Sequence, residues 1–235
     1  MSAIGSVAHD SRRRLWRDFC DANCIVSNGV PLFSLSPNGY VEVMRYGRNA
    51  RPILKRSAEM QTLIQNTVAS IIAAPQGQVD GLLYMMYRIE NDAGVIPLYI
   101  GKAERRGRSG TKLSANLSSI ETDNGKFARW GYNYAYHMGD LSAAALLGHP
   151  AEKRLNKYER WAKCLFEVAP SESPMPRFDV RFWCCSWGVT STGIWPEIGA
   201  CPLAFSEYLV IGIAGLLFPE QLLNDEGVNR IVHSF

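Results

Sequence analysis

The sequence predicts an α+β fold: a small antiparallel sheet of about three strands flanked by helices, with a helix and hairpin extension at its N-terminus. Three observations predict it. Two apolar runs, "GLLYMMYRI" (81–89) and "VIPLYIG" (95–101), flank the turn-prone "ENDAG" and read as a hairpin. A third strand-like run, "RFDVRFWCCSW" (177–187), arrives only after a helical stretch. Helical periodicity then returns beyond it, so strands and helices are segregated rather than strictly alternating.

Taken in order, residues 10–22 read as a short basic helix. "PLFSLSPNGYVEVMRYG" carries two strand-like runs around Ser36-Pro37-Asn38-Gly39, a tetrapeptide suited to a tight turn. From Arg56 to Ala74, Met60, Leu63, Ile64, Val68, Ile71 and Ile72 recur at helical spacing. "PQGQ" (75–78) interrupts that pattern and divides a basic extension, 1–75, from a domain spanning 76–235. After the hairpin, a short helix is expected near Thr111, whereas "KFARWGYNYAYHMGDLS" fits no single period. A helix beginning near His149 puts Leu155, Tyr158, Trp161, Leu165 and Phe166 on one side. The last helix, Pro202 to Phe218, opens on proline, tolerated where the amide has no helical acceptor.

Composition narrows the class. With 235 residues, 47% of them hydrophobic and 20% charged, the chain has material for a core and is not a disordered tail. A net charge of +3 permits a nucleic-acid partner without arguing for one; the clusters Arg12/Arg13/Arg14/Arg17 and Arg45/Arg48/Arg51/Lys55/Arg56 are more informative. The six cysteines form no Cys-x-x-Cys pair, which argues against a zinc knuckle, and adjacent Cys184 and Cys185 within an aromatic run read as buried, reduced thiols. The N-terminus lacks the apolar stretch of a signal peptide, and the longest apolar run, 209–218, is ten residues against the roughly 20 that span a bilayer. A cytoplasmic protein with no membrane partner is expected.

Two features carry chemistry. In "PLYIGKAERRGRSGTK" (97–112) a strand empties into glycine and cations, a combination that suits phosphate. It is not a nucleotide P-loop: Lys102 has Ile96 where the first glycine belongs, and Lys112 follows Thr111 rather than glycine. The second feature is Glu207, the only charge between Glu197 and Glu220, with Leu203, Ala204, Val210 and Ile211 as its helical neighbours. A carboxylate there needs a cation, either an arginine in a structural ion pair or a metal at the floor of a cleft, and chemistry alone leaves both open.

The hairpin and the isolated glutamate together resemble the GIY-YIG nuclease family. Tyr84, at the end of "GLLYMMY", corresponds to the first tyrosine; Tyr99-Ile100-Gly101 is an intact second motif; Glu207 matches the glutamate that holds one divalent metal, Mg²⁺ or Mn²⁺; Asn224, with Asn229 as its alternative, matches the asparagine. The resemblance implies a metal-dependent endonuclease acting on double-stranded DNA, of the restriction or homing kind, possible as a homodimer. The family arginine is matched by spacing to Arg108, with Arg105 and Arg106 as alternatives in the same loop. Lys102 and the arginines would bias the hydroxyl of Tyr84 toward ionisation. Gly101, Arg105, Arg106, Lys112, Asn116, Arg129 and His137 would contact substrate, His137 because restriction-type members can place a histidine in the site. The chain departs from the family in Leu82-Leu83-Tyr84, whose glycine is displaced to Gly81, and in the aromatic insertion around 129–137. Three alternatives stay in play: a degenerate nucleic-acid-binding module, left open by the arginine, an RNA-directed nuclease, and covalent catalysis by Tyr84 or Tyr99.

Overall fold

The structure, a computed structural model, describes residues 3–91, 94–107, 110 and 112–227, with side chains from His9 onward. Six helices and six strands follow one another: α1 (Ala3–Ala22), α2 (Ile25–Asn28), β1 (Val30–Pro31), β2 (Val43–Tyr46), β3 (Arg51–Leu54), α3 (Ala58–Ala73), β4 (Val79–Glu90), β5 (Gly94–Glu104), α4 (His137–Ala145), α5 (Asn156–Leu165), β6 (Arg181–Gly188) and α6 (Leu203–Leu217). The α+β class is as expected. The main sheet has four strands rather than about three, in the order β1-β6-β4-β5, all antiparallel, and β2 pairs with β3 in a separate ribbon. The extra strand, β1, is two residues long and leaves no periodicity to read.

Strand β4 is central and covered on both faces, which explains why "LLYMMY" is a continuous apolar run rather than an alternating one. Its even positions, Leu82, Tyr84 and Met86, enter the core built with α3 and α5; its odd positions, Leu83, Met85 and Tyr87, enter the core built with α1 and α6. Helix α3 starts where Ser57 Oγ accepts the Met60 amide at 2.9 Å, and buries Met60, Ile64, Val68 and Ile71. Residues on both sides of Pro75–Gln78 share each core: Leu32, Ile53 and Ile64 lie with Tyr84 in one, Trp16 and Phe19 with Leu203 in the other.

Several elements differ from expectation: the N-terminal ribbon turns at 47–50 rather than around 36–39, and α5 begins at Asn156 rather than near His149. The segment after Thr111 forms turns at 115–122 instead of a short helix, and the aperiodic aromatic stretch contains α4, every residue of which is buried. A helix buried on all sides has no polar face to give it a period. The free edge of β5 is covered from the C-terminal side, where the Leu223 amide donates to the Leu98 carbonyl at 2.7 Å.

Candidate active site at the edge of strand β5

The site is assembled on the Tyr99-Ile100-Gly101 stretch of β5. Tyr84 lies across the sheet from Gly101, its register partner, and its ring rests directly on that glycine: a Cβ at 101 would stand 2.6 Å from the Tyr84 Cζ and Oη. Gly101 is therefore glycine for close packing, not for an unusual backbone angle. The side-chain amide of Asn224 grips the neighbouring residue twice, accepting from the Ile100 N–H at 3.0 Å and donating to the Ile100 carbonyl at 2.8 Å. It imitates one rung of a β-ladder.

Beside this edge lies a cleft of about 440 Å³ whose lining includes Tyr99, Arg129, Lys157, Glu207, Asn224 and Glu226. These come from five separate stretches of chain. Glu207 reaches it from α6 and keeps 21% of its side-chain surface exposed, with Lys102 Nζ 3.9 Å away. Burial raises its carboxyl to about 7; Lys102 opposes the rise and the nearby Glu104 and Glu226 add to it. Lys102 is held more closely by Glu104, at 2.5 Å. The Glu207 carboxylate is thus short of positive charge, the condition in which it would gain from a divalent cation. One carboxylate plus waters and substrate oxygens is a common Mg²⁺ set, so Glu207 fits that role. Among the described residues, no three His, Cys, Asp or Glu side chains converge into a ready-made metal cage.

Arg129 arrives on a tightly wound loop. Ala128 and Arg129 both adopt left-handed backbone angles, φ 41° and 72°, a conformation that costs a non-glycine residue about 1–2 kcal/mol. Arg56 holds this loop in place. It is 2% exposed, sandwiched between the rings of Phe127 (4.0 Å) and Tyr132 (3.9 Å), and donates to the Trp130 carbonyl at 2.7 Å. The carbonyl of Asn116 accepts the Ala128 amide at 3.0 Å.

Behind Tyr99 an aromatic cluster encloses His137, which stacks on Trp161 and meets Tyr99 edge-on at 5.0 Å. Its Nε2 is 3.1 Å from the Tyr84 hydroxyl and its Nδ1 2.9 Å from the Tyr158 hydroxyl. A neutral imidazole satisfies both, accepting from one hydroxyl and donating to the other. Burial, with Lys157 and Arg129 nearby, lowers its pKa well below the ordinary value and keeps the ring neutral. Burial likewise raises Tyr84 well above its ordinary value, and the influence of Arg129 does not offset this, so the expected bias toward ionisation is absent. Tyr99 is pushed up to about 12 by burial and Glu207 and is protonated at neutral pH.

The fold therefore brings together Tyr99, Glu207, Asn224 and Arg129 at the cleft, with Lys102 beside them and Tyr84 and His137 behind. It takes Arg105 elsewhere: 8% exposed, that side chain donates to the carbonyls of Ile72, Ala74 and Pro75 and closes the C-terminal end of α3. Arg106 reaches the Gly110 carbonyl at 2.9 Å, and Lys112 is exposed in the same loop. Arg108 and Asn229 lie outside the described residues. Sequence reasoning misses Lys157. Its Nζ sits 4.9 Å from the Tyr99 ring centroid, and the only sequence hint is its place one residue before Tyr158 on the aromatic face of α5. No family model, curated protein or solved structure gives a significant match to this chain.

Proposed function

We propose that the protein is a metal-dependent endonuclease of the GIY-YIG type that hydrolyses phosphodiester bonds in DNA. The observation that carries this reading is the convergence of Tyr99, Arg129, Glu207 and Asn224 on one cleft from distant parts of the chain. A tyrosine, an arginine, a glutamate and an asparagine, the residue types that the resemblance implies for such a site, line it together. In this reading Arg129 serves as an arginine of the site, whereas Arg105 closes the end of α3.

In this reading Arg129, as a planar fork, and Lys157, as a point charge, hold the non-bridging oxygens of the scissile phosphate. Tyr99, protonated at neutral pH, donates a hydrogen bond that orients water or a phosphate oxygen. Tyr84 acts through His137: its hydroxyl, bonded to one ring nitrogen, fixes the imidazole that Tyr99 packs against. Glu207 would hold a divalent cation, which when bound supplies Lewis-acid relief of the charge developing on the leaving oxygen. Asn224 keeps Ile100, and with it the tyrosine next to it, at a fixed position on the strand edge.

Supercoiled plasmid incubated with the protein and Mg²⁺ should be nicked or linearised, and a chelator should stop the reaction. Glu207→Gln should abolish cleavage while changing duplex affinity by less than a few-fold, because it removes the charge and keeps the volume. A second reading, a module that binds nucleic acid without cutting, is favoured by the sequestered hydroxyl of Tyr84, which is 2% exposed. Binding with no cleavage under Mg²⁺ or Mn²⁺ would select it.

A further inference from the structure

Both signs of charge line the cleft: Glu207, Asp225 and Glu226 stand with Arg129 and Lys157, and Asp225 is paired with Arg160 at 2.8 Å. Cations continue outward from Arg129 and Lys157. Arg129, Lys153 and Lys157 all act on the buried carboxylate of Asp140, whose Oδ1 is occupied by the Ala135 amide at 2.9 Å. Lys153 Nζ lies 5.2 Å from the centroid of the Tyr134 ring, and the Arg51 guanidinium lies 4.3 Å from the same centroid. Arg51 leads into the β2–β3 turn, where Arg48 is exposed.

Tyr134 is fixed at the midpoint of this row. His149 Nε2 is 2.7 Å from the Pro52 carbonyl, which can only accept, so that nitrogen carries the proton; Nδ1 then accepts from the Tyr134 hydroxyl at 2.9 Å. The ring is pinned at its far end and presents its surface to two cations, which it can hold in position by its π face. Arg51 is further tied to the Tyr132 carbonyl at 3.0 Å and to Asn133 Oδ1 at 2.8 Å. Acids near the outer part of this row include Asp140, which is buried, and Glu152, exposed next to Lys153; at the cleft end Lys157 also feels Asp225 and Glu226.

We infer that duplex DNA leaves the cleft along Lys157, Arg129, Lys153, Arg51 and Arg48, with its phosphate backbone tracked by this row rather than by the arginines of α1. The inference rests on the nuclease reading. A phosphodiester centred in the cleft has neighbours on both sides, and the row receives those on the side of Arg129 and Lys153. Arg129 belongs to the aromatic insertion, Lys153 and Lys157 to the start of α5 and the turn before it, and Arg48 and Arg51 to the N-terminal ribbon.

The test uses full-length protein carrying Glu207→Gln, so that DNA stays intact, and a fluorescent mixed-sequence duplex titrated at several salt concentrations. Arg48→Gln/Lys153→Gln alters two exposed side chains and should leave thermal stability unchanged. The slope of log affinity against log salt should become shallower by about 0.9 for each phosphate that the protein no longer neutralises, up to about 2 for the pair. Arg12→Gln/Arg13→Gln/Arg14→Gln should leave the slope as in the parent. An unchanged slope in the double variant, or a shallower slope confined to the triple variant, overturns the track while leaving the nuclease reading standing. No salt-dependent binding by the parent protein overturns both, and tighter binding of the matching RNA duplex overturns the choice of DNA.

Discussion

The two tyrosines that the motifs single out have opposite surroundings, and phenylalanine at each should separate them. Tyr84→Phe deletes a fully buried hydroxyl and leaves one nitrogen of His137 without its partner, which costs about 1–3 kcal/mol of stability. Tyr99→Phe faces the cleft and should fold with nearly parental stability while losing most cleavage activity. Urea denaturation beside a plasmid assay reads both; equal stability losses would mean that the Tyr84–His137 bond contributes nothing. His137 also makes a pH prediction. Its ring is neutral in the fold but protonates below about pH 6.5 once the chain unfolds, so the unfolded state binds more protons there. Stability from this group is complete above that pH and falls as pH drops, by at most about 1.4 kcal/mol per unit. Glu207, raised to about 7, works in the opposite sense over an overlapping range. Comparing the parent with His137→Gln therefore isolates the histidine, and the variant should show the weaker acid destabilisation between about pH 5 and 6.5.

At the scale of elements, the arginine-rich loop after β5 has a structural role at one position that sequence chemistry reads as phosphate binding. Arg105→Met should cost about 1–3 kcal/mol, because three carbonyls at the end of α3 lose their donor, and should not change the salt dependence of DNA binding. A thermal melt and a salt titration would show it; a shallower salt slope would return Arg105 to the substrate side. The contrast marks what was legible. The hairpin, α3, β6 and α6 announce themselves through period and turn residues, Glu207 through its apolar setting, and Tyr99 and Asn224 through the resemblance alone. The place of Arg129 at the cleft does not show. Its loop is defined by backbone angles at Ala128 and Arg129 that no side-chain pattern encodes, and by Arg56, more than seventy positions away, closing on Trp130. Helix α4 was hidden for a related reason: buried on every side, it has no amphipathic signature. Lys157 was obscured by standing on a helix whose apolar stripe is sufficient explanation of its pattern.

For the whole molecule, the segment before Pro75 supplies a strand to the main sheet, a helix to each of its faces, and Arg56 to the loop of Arg129. Removing residues 1–75 is therefore expected to leave an insoluble chain rather than a weakened binder, a result that solubility and circular dichroism of the truncated protein would check. A soluble, cooperatively folding 76–235 fragment would show that β4, β5 and β6 close a core of their own.

The ladder rung made by Asn224 has a kinetic consequence. A strand edge paired with another strand opens only when the sheet does, whereas here the Ile100 amide is guarded by a side chain at the start of the chain's final stretch. Lifting residues 222–227 would at once bare the edge of β5, withdraw Asn224, Asp225 and Glu226 from the cleft, and let solvent reach that amide. The rate at which Ile100 trades its proton for deuterium is thus a clock for the opening of the cleft wall. Its slowing in the presence of a bound duplex would time how long that wall stays shut around a substrate.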